Sequence, residues 1–238
     1  MTAHELWKRR LGPLWGAAVA LTSSSVFALP ALDGRDDSPG ASWLVGVGVA
    51  LGLAGYAVAA AATAAGVPSS VGATLGLLAM IFASGACVER ATAALLTGAA
   101  DSATATTAVA GSLLMRAQLL AALPPSQWLW AFPAACVTGR WAAAFLQGIG
   151  DPILDPPARS LVCAAPPAWE LAALTAALAV TGALALGPRM LLALGAAAAV
   201  AFGLGLWAQR RRGGLDAEVV GAAALGGEGL ALLVLAAA

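Results

Sequence analysis

The chain has 238 residues, 61% of them hydrophobic and only 10% charged, whereas a water-soluble domain carries roughly 25% charge to wet its surface. Its 12 basic residues balance its 12 acidic ones, which removes the electrostatic case for nucleic acid as a partner. Lipid must be the solvent for much of the exterior, and with mean hydropathy +0.87 and no long polar linker, one integral membrane domain over residues 1–238 is expected.

In chain order, Lys8-Arg9-Arg10 and the apolar run behind it imitate a secretory signal. The cleavage-like stretch Phe27-Ala28-Leu29-Pro30-Ala31 has proline inside it, so the segment is read as part of the mature chain. The run 14–29 is short and broken by Thr22-Ser23-Ser24-Ser25. Beyond it, Asp33-Gly34-Arg35-Asp36-Asp37 resembles the opening of the aspartate motif of CDP-alcohol phosphotransferases but lacks the later aspartates, and its glycine and proline neighbours indicate a turn. Seven runs then approach the roughly 20 apolar residues a spanning helix needs: 43–65, 71–88, 104–123, 128–148, 169–186, 190–208 and 219–238. Abundant Gly and Ala suit close helix packing in lipid. The expected fold is all-α: a polytopic transmembrane helical bundle of about seven spans, with 14–29 as a short N-terminal interfacial or re-entrant helix.

Charge placement supports that count. With 14–29 not crossing and the N-terminus cytoplasmic, Lys8, Arg9, Arg10, Arg35, Arg90, Arg159, Arg210, Arg211 and Arg212 all fall on the cytoplasmic side, as the positive-inside rule asks. Most acidic residues follow them, so a polar site can be assembled only on that face. Glu170 stands at the very start of 169–186, and three charges fall well inside spans: Arg116, Arg140 and Glu228. An ionisable group at bilayer centre costs about 2.5–3.5 kcal/mol on insertion scales, so these are expected to face the interior as an ion pair, Glu228 with Arg140, or to line a site for an anion that guanidinium can bind bidentately.

Nucleophile-and-base catalysis is disfavoured, because the sole histidine is His4 at the terminus. Cys87, Cys136 and Cys163 match neither a disulfide framework nor a zinc pattern and read as packing residues. There is no phosphate loop, no H-E-x-x-H helix and no useful G-x-G-x-x-G.

The run from Arg212 to Glu228, Arg-Gly-Gly-Leu-Asp-Ala-Glu-Val-Val-Gly-Ala-Ala-Ala-Leu-Gly-Gly-Glu, resembles the C-terminal signature of the cobalamin synthase family, adenosylcobinamide-GDP ribazoletransferases. That signature reads R-x-G-G-x-T-G-D-x-x-G-A with two carboxylates following. Gly213, Gly214, Gly221 and Ala222 agree with it, Glu218 stands at the aspartate and Glu228 at the second later carboxylate, while Leu225 replaces the first. Asp101-Ser102 with Leu114-Met115-Arg116 is similar to the family's D-S-R-x-G segment and the basic helix after it, Thr138-Gly139-Arg140-Trp141-Ala142 to its S-R-x-x-A segment, and Leu29-Pro30 to its early turn. The family's acidic run H-x-D-G-x-A-D-x-x-D-G is missing: Ser84 to Thr92 stand there with Glu89 as the one carboxylate, and Ala103 replaces the arginine after D-S.

The resemblance implies a phosphotransferase of cobalamin biosynthesis that joins adenosylcobinamide-GDP to α-ribazole or its 5′-phosphate and releases GMP. It further implies Mg²⁺ as cofactor, held by Glu89, Asp101 and Glu218, catalytic roles for Asp101, Glu218 and Glu228, and substrate-phosphate contacts from Arg116 and Arg140. The location implied is the inner membrane, multi-pass, with the active face cytoplasmic and other late cobalamin-pathway enzymes as partners. Two alternatives stand beside it: a non-catalytic relative acting as a scaffold for those enzymes, and a small-solute transporter whose path is lined by Arg116, Arg140 and Glu228.

Overall fold

The computed structural model describes residues 3–27, 40–99, 101–150, 161–163 and 165–237. The aspartate cluster at 33–37, the Leu29-Pro30 turn and the charged residues from Asp151 to Arg159 lie outside them. Among the described residues ten α-helices follow in order: α1 Ala3–Leu11, α2 Trp15–Ser24, α3 Trp43–Ala64, α4 Ser69–Ala83, α5 Cys87–Ala99, α6 Ser102–Ala122, α7 Trp128–Ile149, α8 Ala168–Leu186, α9 Arg189–Arg212 and α10 Ala217–Ala236. Their boundaries obey local chemistry. Asp101 and Asp216 occupy the N-cap positions of α6 and α10, each accepting a backbone N–H three residues on (Thr104 at 2.7 Å, Val219 at 2.8 Å). Gly213 closes α9 in the left-handed region, φ 77°, where a side chain would be strained.

α7 and α10 form the centre. In α7, 78% of the spanning window is buried, against 6% for α8, which stands on the outside. Close approach is made possible by glycine: a methyl on Gly52 of α3 would lie 2.7 Å from the Pro133 nitrogen of α7, and one on Gly139 of α7 would lie 2.5 Å from the Ala224 carbonyl oxygen of α10. Buried apolar residues of α2 to α7, α9 and α10 make one cluster, with Leu174, Leu178 and Ala179 of α8 packed against it.

The expected all-α membrane bundle is present, but with a different count. Among the described residues, five helices are long and apolar enough to cross a membrane (α3, α7 with its preceding turn, α8, α9 and α10), or six if the bent pair α4 and α5 is one span. The run 71–88 does not make a single rod. It ends at Ser84-Gly85-Ala86, where Gly85 (φ 62°) and Ala86 (φ 51°) both take positive φ, and the chain turns by 80° into α5. The helix α6 forms over 21 residues, but Thr104, Thr106, Thr107, Ser112, Arg116 and Gln118 dilute its apolarity. In α2, ten residues rise about 15 Å, half the hydrocarbon thickness, so α2 by itself is too short to cross. Its C-terminal end enters the bundle instead: the Val26 N–H donates to the Ala83 carbonyl at 2.9 Å, and the Cys87 thiol lies 3.7 Å from the Ser24 carbonyl oxygen. The chain thus seats its serine-rich segment against the α4–α5 elbow.

Candidate functional site

The elbow determines which charges meet. Because α5 turns back after Ala86, Glu89 in its first turn points inward, facing Arg116 of α6. The Arg116 guanidinium bridges two carboxylates, donating from Nη2 to Glu89 Oε1 at 2.7 Å and from Nη1 to Glu228 Oε2 of α10 at 2.8 Å. Arg140 of α7 faces the other oxygen of Glu228, Nη1 to Oε1 at 3.7 Å, with Cys87 Sγ 4.0 Å from its Nη2. The Arg116, Arg140 and Glu228 side chains are 4% exposed or less. Two cations and two anions leave the quartet neutral, the one way four charges can share a desolvated interior cheaply. Glu89 Oε2, Arg116 Nε, Arg140 Nε and Arg140 Nη1 have no hydrogen-bond partner among the described residues. Beside them, under the elbow, lies a small pocket lined by Ser84, Glu89, Cys136, Arg140 and Glu228 among others, with room for about one water molecule. A nucleotide or corrinoid, which needs a site of about 300–1,000 Å³, does not fit there.

A second cluster sits at the end of the bundle. Arg212 Nη1 donates to Asp216 Oδ2 and, at 2.7 Å, to Glu218 Oε2, and the guanidinium carbon lies 5.4 Å over the Trp207 ring. This cluster is partly open: the Arg212 side chain is 23% exposed and that of Glu218 35%. A methyl on Gly98 of α5 would stand 3.5 Å from Arg212 Nη2, and one on Gly150 after α7 would stand 2.7 Å from Leu215 Cδ1. The connections after α5, α7 and α9 therefore share one end of the bundle. Asp101, also in the connection after α5, is exposed, and the Thr104 N–H it accepts holds its carboxyl below the ordinary carboxylate range.

Of the sequence-derived residues, the fold gathers Glu89, Arg116, Arg140 and Glu228. It leaves Asp101 and Glu218 outside that set. The expected Glu228–Arg140 pair exists, but the tighter partner of Glu228 is Arg116. Arg212 was not among the expected site residues; its i,i+4 spacing to Asp216 is the signal that points to it.

A resident Mg²⁺ on Glu89, Asp101 and Glu218 does not fit this arrangement. Among the described residues no three His, Cys, Asp or Glu side chains are grouped so as to hold a metal. Glu89 is bound to Arg116 inside the bundle, Asp101 caps α6 at the surface, and Glu218 is held by Arg212. Asp216 and Glu218 do converge, since one nitrogen of Arg212 bonds both. Two carboxylates suffice for Mg²⁺ when substrate phosphates supply the remaining ligands.

No curated protein and no solved structure matches the chain. A family model described as cobalamin-5-phosphate synthase matches residues 97–236. That range takes in Asp101, Arg116, Arg140, the Arg212–Asp216–Glu218 cluster and Glu228, and leaves out Glu89 and the elbow. The match covers more than half of the chain, and the protein accordingly belongs to the cobalamin-5-phosphate synthase family, membrane transferases of cobalamin biosynthesis.

Proposed function

We propose that the protein is an adenosylcobinamide-GDP ribazoletransferase working at the end of the bundle that carries Asp101, Arg212, Asp216 and Glu218. The observation that supports this most is the open Arg212–Asp216–Glu218 cluster, which lies within the family-matched segment at the N-terminus of α10. A helix N-terminus presents backbone N–H groups to anions. An arginine held by carboxylates that stay partly open to solvent can exchange them for phosphate oxygens at less cost than a sealed pair could.

In the reaction, a hydroxyl oxygen of α-ribazole, or of its 5′-phosphate, attacks the phosphorus on the cobinamide side of the diphosphate. A new P–O bond forms, the bond from that phosphorus to the bridging oxygen breaks, and GMP leaves with the bond's electron pair. Arg212 would bind the diphosphate, and Glu218, freed from Arg212, would accept the hydroxyl proton. Asp101 borders the same end and would position the attacking nucleoside. Asp216 would hold Mg²⁺ arriving with the diphosphate, which would supply charge neutralisation and leave Glu218 free as the base. Glu228, Arg116 and Arg140 are already committed to one another and are assigned to holding α6, α7 and α10 in place rather than to touching phosphate. The location that follows is the inner membrane with this end cytoplasmic, where nucleotide substrates arrive.

The separation of Glu89, Asp101 and Glu218 favours a second reading, a non-catalytic relative that holds other late cobalamin-pathway enzymes at the membrane. Purified protein in detergent, given adenosylcobinamide-GDP, α-ribazole and Mg²⁺, should release GMP, and Glu218→Gln should abolish that release. Folded wild-type protein giving no GMP above a protein-free control, and failing to restore cobalamin synthesis in a host lacking its synthase, would leave the scaffold reading.

A further inference from the structure

We propose that Arg116 is the resident cation of the bundle core: its guanidinium fills from within the chain a two-carboxylate position that suits a divalent metal, and so makes the fold independent of metal. The geometry carries this. Glu89 and Glu228 come from different helices, and one planar group holds an oxygen of each at 2.7 and 2.8 Å. A Ca²⁺- or Mg²⁺-like ion bridging the same oxygens would sit at about 2.0–2.6 Å from them, in the space the guanidinium now takes. The remaining oxygens are also arranged for a cation. Glu89 Oε2 has no partner, Glu228 Oε1 has its nearest cation only at 3.7 Å, and both residues line the elbow pocket.

Charge then decides what can stay. With Arg116 and Arg140 both present, the quartet is neutral, and a divalent ion would bring two uncompensated charges into a site where all but Glu89 are nearly sealed from solvent. With Arg116 removed the set carries −1, which a monovalent guanidinium neutralises and a divalent ion would turn to +1. With Arg140 neutralised as well, two carboxylates face no cation, a divalent ion restores neutrality, and the vacated volume adjoins the pocket. The arginine and the metal are mutually exclusive occupants of one position. This holds whether or not the chain is catalytically active, because its readout is stability and metal content.

The test uses the full chain in detergent micelles, with Mn²⁺, Mg²⁺ and methylguanidinium as probes. The wild-type thermal midpoint should be unmoved by EDTA or by either metal, and the purified protein should carry no stoichiometric divalent metal. Arg116→Ala should melt lower, and methylguanidinium at sub-denaturing concentration should raise its midpoint, whereas Mn²⁺ should raise the midpoint of Arg116→Ala/Arg140→Met, in which two carboxylates face no cation. The charge-balanced variant Glu89→Gln/Arg116→Met should respond to neither. A wild-type midpoint that falls on chelation, or stoichiometric metal in the wild type, overturns the proposal even if Arg116→Ala does not accumulate. An Arg116→Ala protein that folds but is not raised by methylguanidinium, or a folded Arg116→Ala/Arg140→Met protein that is not raised by Mn²⁺, overturns it as well. Loss of GMP release on chelation with the midpoint unchanged bears on substrate-borne Mg²⁺ alone, and is compatible with the proposal.

Discussion

The neutrality of the buried quartet makes a quantitative prediction for Arg116→Met and Glu228→Gln, separately and together. The first variant leaves Glu89 and Glu228 facing Arg140 alone, a net buried charge of −1. The second leaves two guanidiniums against Glu89, a net charge of +1. Removing one member of a buried pair costs about 3–5 kcal/mol because the partner stays desolvated and unpaired, so two independent losses would total about 6–10 kcal/mol. The double variant returns to neutrality, since Glu89 and Arg140 remain and lie within electrostatic reach of each other. It should therefore be no worse than a single variant, at about 3–5 kcal/mol, giving a coupling energy of roughly 3 kcal/mol or more. Equilibrium unfolding in mixed SDS micelles, followed through the fluorescence of the 8 tryptophans, measures all four corners of the cycle. Losses that add to within about 0.5 kcal/mol would mean that the four charges act separately, and the neutral-quartet account would fail.

Three other outcomes follow from the geometry. Gly139→Ala would drive a methyl into Glu228 Cγ and the Ala224 carbonyl oxygen, so overpacking should cost about 1–3 kcal/mol in the same unfolding assay, while Gly111→Ala, which meets nothing within 4 Å, should be neutral or mildly stabilising. The Asp101 carboxyl titrates below its unfolded value, so its cap on α6 should be intact above about pH 4–5 and weaken as pH falls through the lowered value; amide exchange at Thr104 should accelerate there, and Asp101→Asn should flatten that dependence. Thr97 and Arg211, both exposed, lie at the shared end, so cysteines introduced at each should react with an impermeant maleimide from the same side of sealed vesicles. Labelling from opposite sides would separate the two connections that the proposed site needs together.

Much of the bundle could be read from residue chemistry, because long apolar runs have one solution in lipid. Five of the seven runs became helices able to span, with boundaries within a few residues of the hydropathy edges. The elbow was not legible. Ser84-Gly85-Ala86 is as small and apolar as many stretches that stay helical here, and nothing local marks Ala86 for positive φ; the α2 end bonded to Ala83 is a tertiary partner that sequence spacing does not display. That one miss explains the next. Reading 71–88 as a rod puts Glu89 in a water-facing loop beside Asp101, available for metal, whereas the 80° turn carries it into the bundle and onto Arg116. Arg116, Arg140 and Glu228 were recognisable as an internal set from the cost of burying charge, but their pairing was decided by which faces of α6, α7 and α10 meet.

The two charge clusters differ in what they can give up. A phosphate entering the quartet would have to displace Glu89 or Glu228 from Arg116, and the displaced carboxylate would find itself beside no spare donor except Arg140 Nη1 and the Nε atoms of Arg116 and Arg140. The penalty of that orphaned charge is about as large as the pair was strong. Arg212 meets no such obstacle. Its carboxylates, about a quarter to a third exposed, keep access to water when released, pairs open to solvent are worth far less than sealed ones, and the incoming phosphate would bond the same guanidinium bidentately. Exchangeable ion pairs belong where a substrate must come and go, and fixed ones where helices must not move. By that criterion the reaction, if this chain performs it, takes place at the Arg212 end, and the quartet keeps α5, α6, α7 and α10 in register beneath it.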